Sequence, residues 1–453
     1  MDFKQFYLGC LSHASYYLGS EGEAAIIDPQ RDVQQYIDEA VAYNQTIKYV
    51  IETHSHADFV SGHIELAAKT GAQIIYGQRA NTQFPTLKVK DGDQLTLGNV
   101  RLLFRETPGH TPEGITIIAE EIGNGDETTP LKMFTGDTLF IGDVGRPDLI
   151  GSKGFTAQQM GEMLYDSLHE KLLTFPDDTE VYPAHGAGSL CGKSLSKETW
   201  STLGQQRKFN YALQPMSKPD FVKIVAADQP EVPAYFPQSA ARNLEGSLPL
   251  GEIAKPLELN SAEMAEFDGV VIDVRPYVEY GSAHVPNSIN IGLGGQFASW
   301  AGTLIPIGTK LAVLANTAEQ VDEAVMRLAR VGHEMVTGFM LIGNYNGERK
   351  QVDQVSVEEV NGLANNAQIQ FVDVRRPAEH NAGHATGTIN LSLNNLSTEF
   401  DRLDPDLPTY VICQGGYRSS IGTGILENAG FKKLHNVVGG TAAWVSAGLP
   451  TES

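Results

Sequence analysis

Residues 48–58 read KYVIETHSHAD, an apolar run that ends in two histidines and an aspartate at alternating positions. In extended chain, residues i and i+2 point to one side. His54 and His56 are therefore expected to address one centre, joined by Asp58 if the chain stays extended. The same arrangement, a short β-rich run ending in a polar side chain beside glycine, recurs further along. His110 follows 100–105, Asp137 follows 132–134 and His185 follows 180–182. Strand ends are where α/β sheets build sites, and imidazole and carboxylate are ligands for first-row metals. A single histidine at a strand end is ordinary, and Asp137 after Gly136 alone would read as a turn or helix cap. Four such ends in one domain predict a metal site.

Outward from this stretch, short β-rich runs (24–27, 49–51, 115–119) alternate with helical patterns such as 33–43 and 62–69, an α/β reading. The chain has 453 residues, enough for about three domains at ~150 residues each. An internal repeat divides its second half. Residues 273–293 read DVRPYVEYGSAHVPNSINIGL and 373–393 read DVRRPAEHNAGHATGTINLSL, a gapless offset of 100. The repeat places domains at 250–350 and 354–453 after a larger one at 1–245, whose end is proline-dense at 214–219 and 228–233. In both repeat units strands (270–274, 370–374) alternate with helical stretches (318–330, 420–429), which predicts parallel sheets.

Lysine and arginine number 33 against 55 acidic residues, a net charge of −22. Such a chain repels phosphate at long range, which argues against nucleic-acid and anionic-membrane partners. Three cysteines are too few for a disulfide framework and fit a reducing cytosol. With no signal-peptide pattern and no long apolar run, the chain is expected to be cytoplasmic.

In the last domain the apolar run 409–412 leads into Cys413-Gln414-Gly415-Gly416-Tyr417-Arg418-Ser419-Ser420 and then a helical pattern. A cysteine at a strand-to-helix turn faces backbone N–H groups and the positive end of the helix, both of which favour thiolate. Arg418 is expected to add to this, and the glycines let the backbone curl around the sulfur. Such a loop suits an anionic persulfide and the oxygens of thiosulfate or sulfite. The middle domain carries Ala315 where Val313-Leu314-Ala315 aligns with Val411-Ile412-Cys413, and alanine holds no sulfur. Cys191, six residues after His185, reads as a packed loop cysteine or as a sulfur relay beside the metal pocket; Cys10 reads as part of an apolar strand in the core.

HSHAD, TPGHT, GDTLF and YPAHG, in this order, resemble the metallo-β-lactamase fold over residues 1–210, an αββα sandwich with its metal at one sheet edge. GDTLFIGDVGRPDL at 136–149 narrows the resemblance to the glyoxalase II and persulfide dioxygenase branch. CxxGxR at 413–418, after DVR…E…H…GTIN, resembles the rhodanese sulfurtransferases. The whole order is similar to the bacterial fusions of a persulfide dioxygenase with a degenerate and an active rhodanese domain.

The resemblance implies one Fe(II) held by His54, His110 and Asp137, with positions open for a persulfide sulfur and O₂. His56, Asp58 and His185 would then stand behind these ligands and orient water or substrate. Phe59 stands where the dinuclear zinc hydrolases of the family carry a further histidine ligand, which argues against two metals. By the rhodanese resemblance Cys413 carries sulfur and Arg418 contacts the substrate anion, within a loop that includes Gln414, Gly415, Gly416, Tyr417 and Ser419. The expected activity is oxidation of a low-molecular-weight thiol persulfide to sulfite, coupled to sulfur transfer that forms thiosulfate, in a homo-oligomer. Two competing readings stay open: a zinc-dependent thioester hydrolase with an appended sulfurtransferase, and a non-catalytic sulfur relay or sensor.

Overall fold

The computed structural model describes residues 1–122, 130–149, 154–227, 229–363 and 368–453; Asp228, in the proline-dense stretch, lies outside them. The chain forms two compact units, Met1–Ile253 with Ala329–Gly332, and Ala254–Leu328 with His333–Ser453. No helix among the described residues is long and apolar enough to cross a membrane.

The first unit is built on two six-stranded sheets. One runs, in spatial order, Asp2–Leu8, His13–Ser20, Glu23–Ile27, Thr46–Ile51, Gln73–Gly77 and Leu87–Val89. The other runs Ser201–Thr202, Glu180–Pro183, Lys132–Gly136, Ile115–Glu121, Val100–Glu106 and Gln94–Leu97. Alternation along the strands sets the layers. Tyr16, Leu18, Ala25, Ile27 and Ile51 meet Leu102, Phe104, Ile117 and Phe134 in a core between the sheets. The intervening Tyr17, Ala24, Ile26 and Val50 face the other way, against Tyr36, Ala40 and Leu66 of the helices Gln34–Ala42 and His63–Thr70. Ile118, Met133 and Val181 likewise pack on Leu164, Leu203 and Phe221 of the helices Ala157–Asp166, Leu203–Phe209 and Lys218–Ala226. Strands buried on both faces between helices give the expected αββα sandwich, each large apolar side chain contributing about 1.5–3 kcal/mol.

Cys10 departs from expectation. It lies in the turn between the strands Asp2–Leu8 and His13–Ser20 and is half-buried, not a core strand residue. The reversal closes through Leu11 N–H to the Leu8 carbonyl and Ser12 N–H to the Gly9 carbonyl, with Ser12 in the left-handed region (φ 53°), and Cys10 lies inside it.

The second unit holds two five-stranded parallel sheets of identical order. The first runs Leu257–Glu258, Val336–Leu341, Leu311–Ala315, Val270–Asp273 and Ser288–Asn290; the second runs Asp353–Val355, Leu434–Val437, Thr409–Ile412, Gln370–Asp373 and Ile389–Asn390. Asp273 pairs with Leu314, and Asp373 with Ile412, so Ala315 and Cys413 follow at equivalent positions. The shared motif residues hold each fold together. Asp273 and Arg275 form a buried ion pair, as do Asp373 and Arg375. The Asn290 amide donates to the Asp273 and Arg275 carbonyls, and Asn390 does the same for Asp373 and Arg375. The two repeats share one core, in which Ile272, Phe297 and Val313 pack with Val372, Leu393 and Val411.

Candidate active sites

The strands Thr46–Ile51, Val100–Glu106, Lys132–Gly136 and Glu180–Pro183 end at one edge of the sandwich and deliver His54, His110, Asp137 and His185. The chain bends after Ile51 and does not stay extended, so His54 and His56 fall in different donor groups although their ring centroids lie 4.1 Å apart. His54, His110 and Asp137 bring one donor atom each within 4.8 Å of one another; His56, Asp58 and His185 form a second such group. His54 Nε2 lies 3.6 Å and His110 Nε2 3.4 Å from Asp137 Oδ2. His56 Nε2 turns to Asp28 Oδ1 (3.1 Å) and Glu52 Oε2 (3.5 Å).

Gly136 is needed where it stands. Its φ is +53°, and a Cβ there would sit 2.5 Å from Thr53 Oγ1. The close approach sets Asp137 against the His54 loop.

Hydrogen bonds fix the tautomers. Thr53 Oγ1 donates to Asp28 Oδ2 (2.9 Å) and therefore accepts from His54 Nδ1 (2.9 Å). The Arg146 carbonyl accepts from His110 Nδ1 (3.0 Å). Both rings thus turn an Nε2 lone pair toward Asp137 Oδ2. Burial, reinforced by His56, holds His54 well below the ordinary imidazole range, and burial also lowers His110. Burial opposes charge on Asp137, but His185, His54 and His110 outweigh it and keep the carboxyl well below the usual range. Two neutral imidazoles and one carboxylate form a donor set for a divalent cation. Buried His54 Nε2 and Asp137 Oδ2 have no hydrogen-bond partner, and a cavity of about 10 Å³ lies beside the three residues. The residues fit a metal ion.

His185 bridges two carboxylates, with Nδ1 2.7 Å from Asp137 Oδ1 and Nε2 2.8 Å from Asp58 Oδ2. Burial works against its charge, yet Asp137 and Asp58 raise it well above the ordinary range. Phe59 is buried, with its ring centroid 4.1 Å from that of His13 and 4.6 Å from that of His56. Cys191 Sγ lies within 4.8 Å of donor atoms of Asp137 and His185. Burial, then Asp137 and Asp58, push its thiol well up. Arg146 ties this loop to His110, since its N–H donates to the Cys191 carbonyl (3.0 Å) and its Nη1 to that of Leu190 (3.2 Å).

Several residues at this site escaped the sequence reading: Asp28, Thr53, Arg146, His13 and Asn243. Asn243 lies on the helix Phe236–Glu245 and is fully buried. Its Nδ2 donates to the carbonyls of His56 and Phe59 (2.8 Å each), and its Oδ1 accepts from Ser61 N–H (2.8 Å). One side chain therefore holds the loop at both ends. Asp28 carried a readable signal as an aspartate at the end of a strand. Asn243 carried none.

In the second unit Cys413 ends the strand Thr409–Ile412, and the helix Tyr417–Asn428 follows three residues later, earlier than expected. Cys413 is buried; its Sγ accepts from Gly416 N–H (3.1 Å) and Ser419 Oγ (3.4 Å). Gln414 and Gly415 are exposed. Arg418 is held by Glu379 through two hydrogen bonds (2.7 and 2.8 Å). The other repeat buttresses the loop: Tyr417 OH donates to the Gly292 carbonyl (2.8 Å), and Ser420 Oγ to Asn290 Oδ1 (2.7 Å). At the equivalent place in the middle repeat, Asn316 Nδ2 donates to Glu279 (2.8 Å) beside Ala315, with neither thiol nor guanidinium.

Residues 8–123 match the metallo-β-lactamase superfamily, and residues 257–347 and 356–447 each match the rhodanese-like domain. The mitochondrial persulfide dioxygenase ETHE1 of Bos taurus is 32% identical over 219 residues, 47% of this chain and 75% of that protein. A cytoplasmic hydroxyacylglutathione hydrolase of Arabidopsis thaliana is 32% identical over 187 residues, 40% of this chain and 67% of the relative. The crystal structure of a metallo-β-lactamase from Staphylococcus aureus COL superposes with a TM-score of 0.70 at 32% identity, covering 75% of this chain and 99% of that one.

Proposed function

Since the chain belongs to the persulfide dioxygenase family of the metallo-β-lactamase superfamily and carries two rhodanese-like domains, we propose that it couples persulfide oxidation to sulfur transfer. One persulfide, one O₂ and one water give thiol, sulfite and two protons; sulfane sulfur from a second persulfide joins sulfite to give thiosulfate. The observation that carries this reading is the presence in one chain of the His54–His110–Asp137 donor set and a complete Cys413 loop. The same reading divides the chain at 1–245, 250–350 and 354–453, with the middle part inactive.

His54, His110 and Asp137 would hold a single iron, whose chemistry when bound is electron exchange with O₂ at open coordination positions. Asp137 keeps one oxygen for that task because His185 engages the other. Asp58, 2.8 Å from His185 Nε2, helps hold that ring against Asp137. At the second site Cys413 attacks the outer sulfur of a persulfide; the S–S bond breaks and the carrier thiol departs. The Gly416 N–H and Ser419 hydroxyl that face Sγ stabilise the anionic persulfide formed. Sulfite then takes the outer sulfur and returns Cys413 as thiolate. Arg418, steered by Glu379, is the group proposed to meet sulfite oxygens. Cys191 stands beside Asp137 and His185, where it would accept sulfur only after losing its proton.

A zinc-dependent thioester hydrolase is the second reading, favoured by the His56–Asp58–His185 group and the hydrolase relative. Phe59 and the sulfur loop count against it. Loading metal-free protein with Fe(II) or Zn(II) under anaerobic conditions tests the choice. Persulfide-dependent O₂ uptake with iron alone is expected. Thioester cleavage by the zinc form, with no uptake by the iron form, would replace the proposal.

A further inference from the structure

The helix Tyr417–Asn428, whose start follows Cys413, lies with one face on the middle repeat. Tyr417 and Ser420 donate to Gly292 and Asn290 of that repeat, and Glu427 meets His284 Nε2 at 3.2 Å. A Cβ on Gly424 would stand 3.1 Å from the Tyr280 hydroxyl. Positions 417, 420, 424 and 427 recur at helical spacing, so one continuous stripe makes this contact. The repeat that has no thiol thereby holds the element that presents the thiol of the other.

One side chain of the middle repeat reaches the Cys413 loop itself. Tyr277 opens the helix Tyr277–Ser282, and its ring tip lies against Gly416. Gly416 has a φ of +96°, and a Cβ there would meet Tyr277 Cζ at 3.2 Å and its hydroxyl at 3.4 Å. The N–H of the same glycine faces Cys413 Sγ at 3.1 Å. Tyr277 is half-buried, and its hydroxyl has no hydrogen-bond partner among the described residues. Its counterpart at the offset of 100 is Pro377, so this donor is particular to the middle repeat.

Sulfite is an anion with three oxygens, and a chain of net charge −22 repels it at long range, so local donors must hold it. A persulfide extends Cys413 by about 2 Å, and the oxygens of sulfite attacking its outer sulfur lie beyond that, at the rim of the loop. Arg418 already gives an N–H from each terminal nitrogen to Glu379. We propose that Tyr277 is a substrate-contact residue of the Cys413 site, its hydroxyl donating to an oxygen of the sulfite that accepts sulfur and of the thiosulfate formed. The sulfite sulfur attacks the outer sulfur of the persulfide, and the S–S bond to Cys413 breaks. Cys413 leaves as thiolate with the electron pair of that bond, and no proton moves. The site is thus composite, built from both repeats, and the inference rests on the sulfur-transfer reading.

Two sulfur acceptors test it. The metal-free full chain and Tyr277→Phe are given mercaptoethanol persulfide without O₂, with sulfite or cyanide as acceptor, and the rate of Cys413→Ser is subtracted. Thiosulfate and thiocyanate are the products measured. Tyr277→Phe removes only the hydroxyl, and cyanide has no oxygen to receive it. The KM for sulfite is expected to rise roughly 10-fold relative to that for cyanide, with the two kcat values changing alike. Equal changes in both KM values, the mark of a merely structural role, or an unchanged KM for sulfite, overturn the proposal. If the parent transfers no sulfur to either acceptor beyond the Cys413→Ser rate, the sulfur-transfer reading is overturned instead. Calorimetric binding of thiosulfate to metal-free Cys413→Ser, with and without Tyr277→Phe, then decides on Tyr277 separately, equal affinities overturning it.

Discussion

His54 and His110 owe their readiness for a metal to neighbours that touch none. Thr53, itself fixed by Asp28, takes the Nδ1 proton of His54, and the Arg146 carbonyl takes that of His110. Removing such an outer partner typically costs 10- to 100-fold in metal affinity. Thr53→Val keeps the shape and loses the hydroxyl, so competition against a chromogenic chelator should show roughly that weakening, and the metal-free protein should lose about 1–3 kcal/mol because Asp28 Oδ2 and His54 Nδ1 lose a buried partner. Unchanged affinity would mean that the threonine does not set the tautomer. The clustered His54, His110 and Asp137 were legible because their side-chain types are unusual at strand ends. Their supports were not, because Arg146 acts through a backbone carbonyl and Asn243 reaches its loop from 187 residues away in sequence. Spacing alone also pointed His54 and His56 to one centre. The chain bends after Ile51, and His56 Nε2 faces Asp28 and Glu52 while its ring stays 4.1 Å from that of His54.

Strand-to-helix turns hold the candidate reactive groups at the scale of elements. The Cys413 loop is short, its helix starting at Tyr417, so Gly416 and Ser419 both reach the sulfur. Arg418 is pinned by Glu379 at the start of the helix Pro377–Asn381. Desolvation opposes charge on Glu379, but Arg418 outweighs it and lowers the carboxyl below its ordinary value of 4.5. A depressed carboxylate contributes stability that is complete above the unfolded value and is lost as pH falls through the folded one. Urea midpoints measured from pH 7 down to about pH 4 should therefore fall more steeply for the parent than for Glu379→Gln. Parallel curves would show that the pair does not contribute. The repeat was legible down to register, and Asp273/Leu314 and Asp373/Ile412 place Ala315 and Cys413 in equivalent positions. What the repeat could not reveal is that Asn290 and Gly292 of the middle repeat hold the Cys413 loop, since those contacts depend on how two similar surfaces meet.

For the whole molecule, four layers in the first unit and paired parallel sheets in the second followed from alternation and repetition. The division into two compact units, with both repeats around one core, was not readable from motifs, which mark strand ends more clearly than shared apolar surface. A bound metal stabilises only the unit that holds it, by about 4 kcal/mol at a thousand times its dissociation constant. Calorimetry should thus resolve two transitions, of which chelation lowers one. A uniform shift of both would contradict the assignment of the metal to His54, His110 and Asp137. The central claim is that two chemistries run in sequence, and it meets its most direct test in product partition. Iron-loaded parent and Cys413→Ser proteins are given a small-thiol persulfide and O₂, with sulfite and thiosulfate quantified together. The account predicts O₂ uptake by both, thiosulfate from the parent and sulfite alone from Cys413→Ser. Equal thiosulfate from both proteins, or no uptake by either, would contradict it.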